Sequence, residues 1–364
     1  MNASTDSTKG VHLKSLIRIV VLIALQIIHI NAYPASYYQQ NDEPLAEMVR
    51  STIQNEAFNM NVLLQGGFRF SMYDDDFQGG RTFEAANARI SIRGKLDRGF
   101  YYRLQVNMVR EPNLLDAFIG YKAAEAFRIK AGAMKPIQSL DLIPGAAHTG
   151  FVDRTIIARQ LVPSRDIGIS AEGDIKGFYY FAGLFNGNRL EDNNNNKFYG
   201  IGRIHYNFDV FDFEKLQLGI QGSHGDSPGV ISGSRGPMLR GERTIFGVDL
   251  KLETNKVLFI AEYISGEVEI DNPDAFFPGP TPVIKEKISG YYFIGGYKIL
   301  ESTMILARWQ SWGYKEADWH DNQLTLGINH DFTSTTRLKF NFDSYFPDDG
   351  ENMYGFSLIL QVYI

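Results

Sequence analysis

The chain of 364 residues has no cysteine, which excludes disulfides and thiolate metal sites. Its mean hydropathy is slightly negative, so no set of apolar helices is hidden in it. The one sustained apolar run, Ile19 to Ile28, is too short for a comfortable transmembrane helix. Positive charge is in the minority, with 36 Lys and Arg against 42 Asp and Glu and a net of -6. An acidic chain of this kind is not a nucleic-acid binder by bulk charge. No repeat with a period of 20 to 50 residues is evident. Aromatics and glycine are plentiful instead, with 26 Phe, 19 Tyr and 35 Gly. That mix suits β-strands joined by tight turns and flanked by interfacial aromatic belts. It also suits an aromatic-rich soluble β protein.

The N-terminus supplies a compartment. Lys9, Lys14 and Arg18 precede the apolar run, and Ala32 follows as a small residue suited to cleavage. Residues 1–32 therefore read as a secretory signal peptide, with retention as an anchor the alternative. That segment carries three positive charges and Asp6, a net of +2, so residues 33–364 carry about -8. Residues 33–59 are polar and irregular, a periplasmic lead-in with a short helical stretch near Pro44 to Gln54.

The far end carries the strongest structural signal. In Tyr354 to Ile364, Phe356, Leu358, Leu360, Val362 and Ile364 recur at a spacing of two. Side chains of a strand alternate faces, so one face here is greasy and the other can be wet. The same alternation runs upstream. Val62, Leu64, Phe68, Phe70 and Met72 oppose Asn61, Gln65, Arg69 and Ser71. Ala86, Ala88, Ile90 and Ile92 oppose Asn87, Arg89, Ser91 and Arg93. Three more strands follow in 102–108, 115–122 and 127–133, and eleven more lie near 165–175, 177–187, 197–208, 215–224, 244–254, 256–267, 285–299, 302–313, 322–331, 335–347 and 352–364. Sixteen strands of about ten residues, divided by turn signals, form the pattern of an all-β transmembrane antiparallel barrel over 60–364. Alternate connections are short (Arg98-Gly99, Glu125, Lys176-Gly177, Asn255, Thr333), whereas 136–164, 188–196, 225–243 and 268–284 are long. A single-chain outer-membrane barrel has that asymmetry; a soluble sandwich need not.

Four segments carry a family resemblance. They are Ile129-Lys-Ala-Gly-Ala-Met-Lys-Pro136, Phe151-Val-Asp-Arg154, Leu161-Val-Pro-Ser-Arg-Asp-Ile-Gly168 and Tyr179-Tyr-Phe-Ala-Gly-Leu-Phe-Asn-Gly187. In this order they resemble the phosphate-selective porin O/P family across roughly residues 60–364. The resemblance implies a porin in the outer membrane of a Gram-negative bacterium. It further implies a homotrimer of 16-stranded barrels, a third external loop folded inward, and transport of phosphate or polyphosphate along Arg and Lys. It implies no cofactor and no catalysis.

A passive pore needs charge of one sign at a constriction. Arg suits phosphate because its planar fork donates paired hydrogen bonds and stays charged. On the expected register the inner face of the first five strands carries Arg69, Arg89, Arg93, Lys95, Arg103, Lys122, Arg128 and Lys130, with Asp116 the clear carboxylate. Facing lipid, each charge would cost about 2–4 kcal/mol at the midplane. Connection 136–164 holds apolar Ile137, Leu140, Leu142, Ile143, Phe151, Ile156 and Ile157, which a solvated loop does not need. Folded inward, it would present Arg154 and Arg159, with Lys135 and Arg165 at its ends. Other readings stay open: an external cap, a general or carbohydrate-preferring porin, or a structural or adhesive barrel. His224-Gly-Asp-Ser227 lacks an oriented base, and the pairs His320-Asp321 and His330-Asp331 lack metal spacing. Glu191-Asp192 and Asp348-Asp349 give only weak support for Ca²⁺.

Overall fold

The computed structural model describes residues 55–364 apart from 73–79, 110, 112, 211–212, 234–235 and 272–282. The expected leader, most of the lead-in with its helical stretch, and parts of five connections lie outside the described residues. Among the described residues sixteen strands follow one another. They are β1 (Asn59–Ser71), β2 (Thr82–Lys95), β3 (Phe100–Asn107), β4 (Leu114–Ala124), β5 (Phe127–Met134) and β6 (Asp166–Ile175). Next come β7 (Phe178–Phe185), β8 (Tyr199–Phe208), β9 (Lys215–Asp226), β10 (Leu239–Glu253) and β11 (Val257–Asp271). The last are β12 (Val283–Leu300), β13 (Thr303–Tyr314), β14 (Trp319–Asp331), β15 (Thr336–Phe346) and β16 (Met353–Tyr363). A six-residue helix, α1 (Ile156–Leu161), lies in the long connection after β5.

Every strand pairs antiparallel with its sequence neighbours, and β16 pairs with β1 to close the barrel. Closure leaves no unpaired sheet edge, which lipid requires. Short turns obey local chemistry. Between β6 and β7 both Lys176 and Gly177 take positive φ, as a two-residue hairpin matching strand twist demands.

The alternation sorts inside from outside. In β16, Leu360 is half exposed while Ile359 and Gln361 are buried. In β12, Glu286, Ile288 and Tyr292 are buried, while Lys285, Lys287 and Phe293 are exposed. One expected face is corrected. Ala86 does not face lipid, because it is the extra residue of a bulge where Gln65 pairs Asn87 and Gly66 pairs Ala85. Across a bulge the alternation changes phase. Phe83 therefore points outward, 83% exposed, and Glu84 turns to the side of Arg69.

β10 to β12 are longer than expected, at 15, 15 and 18 residues against the roughly 9–11 that span a bilayer. At the outer ends of β10 and β11 the outward side chains are Arg240, Glu242, Glu269 and Asp271, while Leu239, Val268 and Ile270 are buried, so an apolar-outward alternation could not reveal them.

The largest apolar core lies between the connection after β5 and one side of the wall. Leu142, Phe151, Ile157, Ala158 and Leu161 pack with Ile245, Ile264, Ile288, Tyr292 and Leu306. The approach is close: a Cβ on Gly266 would sit 3.0 Å from Leu161 Cδ2, and one on Gly327 would sit 3.1 Å from Phe151. Leu161 has no accessible surface. Leu161→Ala is expected to cost about 2–5 kcal/mol by the lost contacts and cavity. The denaturant midpoint read by tryptophan fluorescence checks this; an unchanged midpoint would show that the packing is loose.

Candidate functional site

Two cavities hold most of the basic side chains that the register placed inside. The one toward the long connections has a volume of about 510 Å³. The one toward the short turns has about 310 Å³. Four residues line both: Arg89, Lys135, Ala146 and Arg165. The junction of the two cavities is thus two guanidinium groups, one amine and one methyl group.

β1 and β2 deliver Arg69, Arg89 and Arg93, β3 delivers Arg103, β5 delivers Lys130, and the connection delivers Lys135, Arg154, Arg159 and Arg165. The outer cavity is lined by eight basic side chains and three carboxylates, Glu84, Glu111 and Asp153. The inner cavity has six basic side chains and one carboxylate, Asp116. The excess is positive in both, although the whole chain is acidic. Low-dielectric walls focus such a field and concentrate counter-ions.

The carboxylates orient the cations. Asp116 receives Arg165 at 3.0 Å and Arg103 at 3.2 Å, bridging the connection to β3. Asp153 receives Arg69 at 2.5 Å and lies 3.6 Å from Arg159, while Glu84 receives Arg69 at 2.9 Å. Fixing an Arg this way leaves its remaining N–H donors aimed, at little further entropy cost. Arg154 donates to the Pro144 carbonyl at 2.6 Å, and Arg89 donates to Asn87 Oδ1 at 2.7 Å. Lys135 donates to the Leu142 and Pro144 carbonyls at 2.7 and 3.2 Å.

Burial, with Arg154 and Arg165 nearby, pushes Lys135 well below the ordinary lysine range. A lysine lowered in this way gains its charge only as pH falls through its depressed value. Between a pH in the ordinary lysine range and a lower one, the lower pH is therefore expected to favour anions over cations more strongly, and less so in Lys135→Gln. Reversal potentials at the two pH values check it; identical shifts in both proteins would remove Lys135 from the account.

Three expected residues are not brought to the cavities. Lys95 is exposed at the short-turn end of β2, and Arg128 stands 3.8 Å from Glu172, which Lys130 also engages at 3.0 Å. Lys122 pairs with Glu125 at the same end. The inner face is also richer in carboxylates than the sequence reading allowed. Glu84 was hidden by the bulge, Glu111 and Asp153 lie in aperiodic connections, and Glu172 sits one strand beyond the first five. Two basic lining residues were missed: Arg189 in the connection after β7 and Lys339 in β15. Lys339 obeys the alternation, so carrying the register to β15 could have found it.

The connection is tied to the wall by polar bonds around most of the ring. Glu262 on β11 receives Ser139 Oγ at 2.7 Å and the Leu140 N–H at 3.2 Å, together with Gln221 and Tyr292 from the wall. Arg203 on β8 forks onto Asp249 and donates to the Gln138 carbonyl at 3.0 Å. Gln310, Arg308, Asn329 and Lys339 bond Ile156, Asp153, Gly150 and Thr149 respectively.

A model of the family described as phosphate-selective porin O and P matches residues 58–267. Among solved structures, an anion-selective porin from Comamonas acidovorans is 13% identical, covering 85% of this chain and 99% of its own, with a TM-score of 0.63. OmpT of Vibrio cholerae, in a trimer form, is also 13% identical over 85% and 99%, with a TM-score of 0.60. OprB of Pseudomonas putida is 11% identical over 88% and 97%, with a TM-score of 0.59. No curated protein sequence matches the chain. The structural neighbours share the fold at identities too low to carry function. The family match covers more than half the chain: it belongs to the phosphate-selective porin O and P family, a porin of the Gram-negative outer membrane.

Proposed function

We propose that this porin is a passive channel preferring small anions, oxyanions of the phosphate class among them, and that residues 136–164 narrow it from within. The observation that carries the reading is the junction of Arg89, Lys135 and Arg165 between two cavities of positive excess. An anion leaving one cavity exchanges one set of Arg and Lys donors for another, so its binding is spread over several weak sites. Spread binding keeps entry favourable without trapping the ion. The bonds from Glu262, Arg203, Gln310, Arg308 and Asn329 to the connection support its place as the narrowing element. A homotrimer in outer-membrane lipid is proposed as well; it rests on the family and on the trimer form of the Vibrio cholerae neighbour.

Planar-bilayer recording tests the solute class. Adding phosphate to a chloride-carrying channel is expected to reduce the chloride current in a saturable way, because both ions compete for the same cations. A maltose-type sugar should leave it unchanged. Block by the sugar and none by phosphate would favour a carbohydrate-preferring porin.

A further inference from the structure

The two cavities differ in a way that charge alone does not explain. Among the described residues no aromatic side chain lines the outer cavity. The inner one is lined by Phe118, His148 and Tyr363, together with Ile137 and Ile143. A passage built only for small hydrated anions has no use for such a wall, because an apolar face gives a bare oxyanion nothing to bond.

The register shows how ring and charge come together. Asn59, Arg93, Arg103 and Phe118 are successive cross-strand partners on β1 to β4. Direct partners hold their Cβ atoms about 4.5–5.5 Å apart, so two guanidinium groups and a phenyl ring form one inward row. Lys130 Nζ lies 5.7 Å from the Phe118 ring centroid. Asp116 holds Arg103 at 3.2 Å, but Arg93 donates only to Asn59 Oδ1 at 3.2 Å and has no ion pair among the described residues. The terminal N–H groups of Arg93 are therefore open to a solute. β16 and the connection complete the apolar wall. Tyr363 donates its hydroxyl to Asn61 Oδ1 at 3.0 Å, which leaves the ring itself as lining. His148 packs against that ring in a T-shape, with centroids 5.3 Å apart. Burial, with Arg337 and Lys339 nearby, lowers His148 from its ordinary value, so near neutral pH it presents a ring and not a charge.

We infer that the inner cavity is a subsite for single-ring aromatic carboxylates, with the carboxylate on Arg93 and Arg103 and the ring against the wall of Phe118, Ile143 and Tyr363. Arg suits both ends of such a solute, since its fork donates paired bonds to a carboxylate and its plane stacks on a ring. The volume of about 310 Å³ lies at the small end of ligand sites, which fits one ring and not a nucleotide. A sugar is disfavoured, because its hydroxyls need acceptors. Asp116, the one carboxylate of the cavity, already receives Arg103 and Arg165. The inference rests on the proposed anion preference and adds a solute class to it.

Block of the chloride current in planar bilayers tests it, with benzoate, acetate and benzyl alcohol as probes. Benzoate is expected to block at roughly tenfold lower concentration than acetate, the scale of one added aromatic contact. Benzyl alcohol, a ring without charge, should leave the current unchanged. Phe118→Ala should raise the benzoate concentration for half block by about threefold or more, and that for acetate by less. Ile143→Gln, which lies in the connection and outside the strands, should act in the same direction. It decides the matter if heat-modifiable migration shows that the Phe118 variant does not fold. Equal block by benzoate and acetate in an anion-preferring channel would overturn the subsite and leave the anion preference standing. Block by benzyl alcohol equal to that by benzoate would overturn it too, because the site would then be apolar only. A cation-preferring wild type that benzoate does not block would overturn both.

Discussion

Replacing Arg89, Lys135 and Arg165 together by Gln is expected to lower the anion-to-cation permeability ratio by roughly tenfold or more, the scale on which a focused field concentrates ions. These three side chains line both cavities, so an ion crossing the junction meets all of them. Asp116 stays behind in the variant, held by Arg103 at 3.2 Å, and its charge is then less fully offset. The loss should therefore exceed that caused by Arg154→Gln with Arg159→Gln, which touches only the outer cavity. Gln keeps much of the length and polarity of each side chain, so barrel stability should change little. Reversal potentials under a chloride gradient supply the measurement, with heat-modifiable migration as the folding control. The preference should also fall as salt rises, because screening shortens the reach of each charge. A variant that kept the wild-type ratio would show that the junction does not set selectivity.

The second large effect concerns the anchor of the connection. Glu262 is buried and accepts four bonds, two from the connection and two from the wall. Glu262→Ala removes the acceptor and leaves four donors without their partner. Hydrogen bonds to a charged group contribute about 1.5–3 kcal/mol each. Loss of the two from the connection favours its undocked state by about 3 kcal/mol or more, roughly a hundredfold in population. Single channels of Glu262→Ala should then show a larger, noisier conductance, and Glu262→Gln a partial effect. Deleting Gly145 to Gly150 should raise conductance without the added noise, since the Glu262 bonds remain. Unchanged conductance in both variants would place the narrowing elsewhere.

The strands were legible because the bilayer imposes one rule on every strand, apolar outward, and that rule has a period of two. β16 shows it in five residues, Phe356 to Ile364. The rule stops where the bilayer stops, which is why the outer ends of β10 and β11, with Arg240, Glu242, Glu269 and Asp271 outward, were not foreseen. It also fails at a bulge: one inserted residue, Ala86, reversed the phase and concealed Glu84 as the partner of Arg69. The candidate site was legible in its cations, since a charge on a lipid-spanning strand has only one tolerable direction. Its carboxylates were less so. Asp153 and Glu111 lie in connections with no period, and their positions depend on where those connections fold. Arg189 and Lys339 reach the same cavity from strands and loops far along the chain, a convergence that only the closed barrel creates.

The central claim is that an acidic protein encloses a cationic passage. Its most direct test is the zero-current potential of the wild-type channel in a planar bilayer under a tenfold potassium chloride gradient. The account predicts the sign of an anion-preferring pore, with a magnitude that shrinks as both salt concentrations are raised together. The opposite sign, in a correctly folded preparation, would contradict the claim.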